Sequence, residues 1–156
     1  MKKLTIIIAL LLSYICNAQL GSDVTQVNVI LSESASIEVM HNTVNLVVDT
    51  ADKYENGTNS NLPSHLKITS TVDYQLNMQL SSNFTDGSNS IAANKVNVTV
   101  QEQTVALNTN QTNLLPSNAA CIARYLDVNY TLEGGNHLLL PASTYTAQLT
   151  YTLMPQ

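Results

Sequence analysis

The 156-residue chain has no Trp and one Phe. It is also short of glycine (five), proline (four), cysteine (two) and charge (11% of residues). Each scarcity excludes something. Few glycines and prolines exclude collagen-like and Pro/Gly linker chains. Without Trp, the commonest aromatic platform for sugar rings is missing. Cys16 falls in the N-terminal stretch discussed next, so Cys121 is the only cysteine beyond it. No internal disulfide, paired-thiol redox centre or Cys-based metal site is then available. Cys121, between Ala120 and Ile122, reads as a small buried hydrophobe rather than a reactive thiol.

Lys2 and Lys3 precede an apolar run, Leu4 to Leu12, and then Ser13–Ala18. A basic start, a short apolar stretch and a small-residue exit are the parts of a secretory signal, here 1–18, cleaved between Ala18 and Gln19. The run is too short for a bilayer, which takes about 20 residues. Tyr14 and Ile15 before Cys16 make a poor lipoprotein signal. The expected localisation is export: periplasm, cell surface or extracellular, with no transmembrane span in the mature chain. Residues 19–156 then keep four cations (Lys53, Lys67, Lys95, Arg124) against eleven acidic residues. Four scattered cations cannot track a phosphate backbone, which excludes nucleic acid, and an anionic membrane surface would repel the chain.

What the chain does have is period-two alternation, rich in Thr, Val and Tyr, the residues that suit a pleated half-buried surface. Strands are expected at Val27–Leu31, Ile37–Met40, Val44–Val48, Leu66–Thr69, Tyr74–Leu80, Val96–Val100, Val105–Leu107, Ile122–Leu132 and Tyr145–Leu153. Asn56-Gly57, Asp86-Gly87 and Gly134-Gly135 mark turns. Asp49–Pro63 and Asn108–Asn118 read as polar connections, the latter pinned by Leu114, Leu115 and Pro116. Eight or nine short strands at about ten-residue spacing predict an all-β fold, a single immunoglobulin-like antiparallel β-sandwich over 19–156. Val128-Asn-Tyr-Thr-Leu132 and Leu149-Thr-Tyr-Thr-Leu153 share a pattern, which reads as adjacent strands converging on one core rather than as a repeat.

No motif for chemistry emerges. His41, His65 and His137 lie in polar connections without a ligand partner at i+2 or i+4, and read as surface histidines. Asp49, Asp52 and Glu55 lack the alternation of a calcium loop and read as a solvated turn. There is no Gly-x-Ser-x-Gly elbow and no phosphate-cradling loop. No catalysis, metal or cofactor is expected. Tyr54 and Phe84 are the candidate glycan contacts. Val27, Val29 and Leu31, uncharged and alternating, are the candidate assembly strand, with an ordinary first strand as the alternative. The five Asn-x-Thr sequons (Asn56, Asn83, Asn97, Asn110, Asn129) read as accidents of an Asn/Thr-rich chain.

The C-terminal stretch Pro141-Ala-Ser-Thr-Tyr145-Thr-Ala-Gln-Leu149-Thr-Tyr151-Thr-Leu153-Met-Pro155 resembles the closing strand of bacterial surface domains with immunoglobulin-like sandwiches. These are pilin-like subunits and the cell-surface domains named for a Trp-x-Leu motif; Tyr151 stands where that Trp would be. The resemblance implies a secreted or cell-surface structural or adhesion protein, a fimbria-associated subunit. Its partners would be other surface proteins or copies of itself, with surface glycans as the alternative for a carbohydrate-binding module. By position, Tyr145 suits a tyrosine corner, whose hydroxyl bonds a nearby backbone group.

Overall fold

A computed structural model describes residues 25–156. The signal at 1–18 lies outside the described residues. Two units divide the chain, Met1–Leu31 and Ser32–Gln156. In the first, Thr25–Leu31 carries no strand, and Val27, Val29, Ile30 and Leu31 are 80–90% exposed. The expected opening strand there is not formed. A strand needs a neighbour to take its backbone groups, and alternation alone does not supply one.

The second unit is an all-β antiparallel sandwich. Its strands are β1 (Ala35–Val39), β2 (Thr58–Ser70), β3 (Tyr74–Leu80), β4 (Phe84–Thr85), β5 (Ser90–Ile91), β6 (Val96–Val100), β7 (Gln103–Ala106), β8 (Thr112–Asn118), β9 (Cys121–Leu132) and β10 (Leu149–Pro155). One sheet runs β1-β2-β9-β6-β7 and the other β10-β3-β8, with β4-β5 a small separate ribbon. The period-two pattern explains the layers. Leu66 and Ile68 of β2, Val96, Val98 and Val100 of β6, and Leu126, Val128 and Tyr130 of β9 turn inward and are buried. Tyr74, Leu76, Met78 and Leu80 of β3 meet them from the other sheet. Leu149, Tyr151 and Leu153 of β10 pack against the same core. Each such side chain contributes about 1.5–3 kcal/mol by leaving water.

Two polar connections turn out to be structured. Asp49–Pro63 contains a short helix, α1 (Ala51–Asn56), before β2 begins. Thr50 caps it, its Oγ1 accepting from Lys53 N–H at 3.3 Å. The acids read as a solvated turn are spent on the same segment: Asp49 takes Lys53 Nζ at 2.7 Å and Asp52 takes Asn56 Nδ2 at 2.8 Å. Gly57 ends the helix at φ +85°, and a Cβ there would lie 2.1 Å from the Leu132 carbonyl oxygen. Asn108–Asn118 contains β8, which holds a proline because it is the edge of its sheet. Register shifts against β3 disturb its alternation and bury both Leu114 and Leu115.

A third irregularity re-aims a side chain. Opposite β9, the ladder of β2 jumps from Leu62↔Val128 to Leu66↔Leu126, so three residues face Asp127 alone. Ser64 takes φ +51° in this bulge and gives its N–H to Asp127 Oδ1 at 2.7 Å. The next residue, His65, is thereby turned into the interior, 1% exposed. That corrects its reading as a surface loop histidine.

A candidate groove beside the core

Val44–Val48 was expected as a strand and has the right faces. Val44, Leu46 and Val48 are half-buried against the core, and Asn45 and Val47 point out. It joins no ladder. Among the described residues, the backbone of Asn42–Val48 makes no hydrogen bond to other backbone. Facing it runs the segment Ala142–Tyr145, equally without backbone pairing among the described residues. The backbone of Tyr145–Gln148, expected as the start of the last strand, is bonded among the described residues only at the Thr85↔Thr146 bridge and through the Ser81–Gln148 bonds. The Tyr145 hydroxyl donates to the Pro141 carbonyl at 2.8 Å, the local bond expected of a tyrosine corner.

Two adjoining cavities open here, of about 420 and 670 Å³: both stretches line the larger, and the smaller runs on from Asn42, Val44 and Leu46 to Ala147, Gln148 and Leu149. They share Asn42, Val44, Leu46, Phe84, Val96 and Ala147 in their linings, so they form one groove. No Asp, Glu, Lys or Arg lines either part. Tyr54 and Phe84, singled out in the sequence, come from α1 and β4 and both line the larger cavity. Val27, Val29 and Leu31 belong to the other unit and stand exposed.

The smaller cavity has a polar floor that the sequence did not suggest. His65 Nε2 lies 3.0 Å from the Tyr130 hydroxyl, which lies 2.6 Å from the Tyr151 hydroxyl. His65 Nδ1 faces His41 Nδ1 at 3.4 Å. Burial pushes Tyr130 up to about 12 and moves Tyr151 up further, the Tyr130 charge adding to the effect on Tyr151. Burial holds His65 below the ordinary histidine value, and the charge of His41 adds to it. His65, Tyr130 and Tyr151 are therefore neutral near pH 7, two hydroxyls and an imidazole satisfying one another in place of water. Tyr130 and Tyr151 are the central residues of the two similar pentapeptides. Their strands are not adjacent, as expected, but lie in opposite sheets, so the shared pattern brings two like side chains together across the core.

Elsewhere the picture is simpler. Asp86 Oδ1 accepts from the Ser88 and Asn89 N–H groups at 2.8 and 2.7 Å, the turn chemistry its position suggested. Cys121 is half-buried, its Sγ 3.8 Å from the Tyr74 hydroxyl. Among the described residues, no three or more His, Cys, Asp or Glu side chains are grouped to hold a metal ion, and no helix is long and apolar enough to cross a membrane.

No protein-family model matches the sequence, and no curated protein is significantly similar to it. What the groove does must be argued from its own geometry. The groove combines two stretches of unpaired backbone, an apolar lining in which no Asp, Glu, Lys or Arg takes part, and one polar chain, His65–Tyr130–Tyr151.

Proposed function

We propose that the protein is an exported structural or adhesion subunit of a cell-surface assembly, fimbria-associated in kind, which joins its neighbours by strand addition. The observation that carries this reading is the groove, with unpaired backbone along Asn42–Val48 and Ala142–Tyr145 and a lining free of Asp, Glu, Lys and Arg. A strand laid there would pair its backbone with those walls and set alternate side chains on the floor. Thr25–Leu31 of a second copy suits the role. It is as long as the Asn42–Val48 wall, carries no charge, and presents Val27, Val29 and Leu31 at period two. An uncharged insert matches an uncharged slot, since a buried unpaired charge would be costly.

The resemblance of the closing stretch to pilin-like and surface immunoglobulin-like domains points the same way. The alternative, a carbohydrate-binding module, draws on Tyr54 and Phe84 lining one cavity. It predicts glycan binding that Tyr54→Ala or Phe84→Ala abolishes while self-association is untouched.

Sedimentation of the exported chain tests the assembly reading. Concentration-dependent oligomers are expected, with a Val29→Asp chain remaining monomeric but equally stable. Oligomers that survive Val29→Asp, or a strictly monomeric parent at high concentration, would remove Thr25–Leu31 from this role.

A further inference from the structure

The Asn42–Val48 wall begins at a contact that no strand pairing requires. Met40 N–H donates to the His65 carbonyl at 2.8 Å, extending the β1–β2 ladder by one bond. The next residue, His41, meets His65 ring to ring. Their centroids lie 5.5 Å apart with planes 23° from parallel, and the two Nδ1 atoms are 3.4 Å apart. The separation of the centroids is about that of the nitrogens plus two ring radii, so the rings meet head-on. One Nδ1 must donate and the other accept. Beyond His41, no backbone bond to other backbone follows among the described residues until the Thr50 carbonyl takes Tyr54 N–H. The histidine contact is thus the last polar fastening before a stretch held by Val44, Leu46 and Val48 alone.

Proton counting shows what acid does to this fastening. With both rings neutral, or with one proton added to the pair, one Nδ1 carries a hydrogen and donates to the other, so the bond survives. With both rings cationic, two N–H groups oppose each other across the contact, and a cation sits on His65, a residue 1% exposed. The titratable groups facing that site are His41 from the loop after β1, Tyr130 from β9 and Tyr151 from β10. No Asp, Glu, Lys or Arg lines the cavity to balance the charge. Asp127, the nearest acid on the bulge, is engaged with Ser64 N–H, and Lys67 and Glu38 pair with each other at 3.1 Å on the exposed side of β1 and β2.

We propose that the His41–His65 contact is an acid-released latch on the Asn42–Val48 wall: near neutral pH it fastens the wall over the smaller cavity, and double protonation lets the wall swing away. Release falls on the acid side of 6.5, the ordinary histidine value, because burial opposes charge on His65. Where the groove accepts a strand, the latch regulates access to it; that consequence rests on the assembly reading, whereas the latch does not.

The test is a nitroxide on Val47→Cys in a Cys121→Ser background, Val47 being half-exposed on the wall. Electron paramagnetic resonance is recorded on the exported chain from pH 7.5 to 4.5, with a second label at exposed Tyr125→Cys on β9 as a control for unfolding. The wall label is expected to be immobile at pH 7.5 and to gain mobility reversibly below 6.5, with at least a ~tenfold rise in the mobile-to-immobile ratio. The β9 label stays unchanged. His41→Ala, on an exposed side chain that leaves the fold intact, is expected to be mobile at every pH. A His41→Ala wall that stays immobile at pH 7.5, or a parent wall whose mobility does not change before the β9 label's does, overturns the latch. Sedimentation of the same samples separates the two ideas: a mobile wall with no effect of pH on association keeps the latch and removes its link to assembly.

Discussion

Val96–Val100 and Val44–Val48 are built alike and held differently. In β6, Val96, Val98 and Val100 are at most 2% exposed, and the backbone is bonded to β9 on one edge and β7 on the other. Val44, Leu46 and Val48 also point at the core, yet they are only half-buried and their backbone is unpaired among the described residues. An inward-facing row of apolar side chains places a segment on the core. Only a partner's N–H and C=O groups make it a strand. The molecule has a closed region, centred on β2, β9 and β6, and an open one, along the groove.

The sharpest way to break the closed region is Gly57→Ala. Its φ of +85° and the 2.1 Å approach to the Leu132 carbonyl would force the start of the β2–β9 ladder apart. A loss of about 3 kcal/mol or more is expected in urea unfolding. Core truncation then measures the contrast directly. Leu66→Ala, fully buried in β2, should cost about 2–5 kcal/mol. Leu46→Ala should cost about 1 kcal/mol or less, since its site already borders open space and leaves no sealed cavity. Equal losses would show that the wall is as tightly packed as β6.

The polar floor gives intermediate effects. Tyr130→Phe removes the hydroxyl between His65 and Tyr151 and should cost about 1–3 kcal/mol, because His65 Nε2 is left buried without a partner. The same residue sets a pH dependence. Folded His65 binds its proton at lower pH than the ordinary 6.5, so between those two values the unfolded chain binds more protons. Its contribution to stability is complete above 6.5 and is lost as pH falls through the folded-state value. Thermal unfolding from pH 8 to 4 should show that slope, and His65→Gln should flatten it. The smallest effect is expected at Ser64→Gly, a gain of about 0.5–1 kcal/mol from placing glycine at φ +51°.

The closed region was the legible part. The alternation in Tyr74–Leu80, Val96–Val100 and Ile122–Leu132 matches β3, β6 and β9 nearly end to end, because each is a strand with one face on the core. β8 was hidden by its bulge, which breaks the period that reveals a strand. α1 was hidden by its length, too short for any helical stripe to show. Of the groove, Tyr54 and Phe84 were picked out by being aromatic in loops. His65 was not, because the Ser64 bulge that turns it inward leaves no mark in composition or spacing; a polar residue abutting Leu66-Lys-Ile-Thr69 was the only hint. The meeting of Tyr130 and Tyr151 had a trace in the shared pentapeptide, whose meaning needs the two sheets to be stacked.

The central claim, that the open side takes a strand from another copy, is tested most directly by a cysteine pair, one in each partner. Val29→Cys and Leu46→Cys chains, both with Cys121→Ser, are mixed under mild oxidation and the products resolved by mass. A disulfide-linked heterodimer is predicted, formed faster than with Tyr125→Cys, which is exposed on β9 and lines neither cavity, and suppressed by excess peptide spanning residues 25–32. Linkage at the same rate for Leu46→Cys and Tyr125→Cys, or no heterodimer at all, would contradict it.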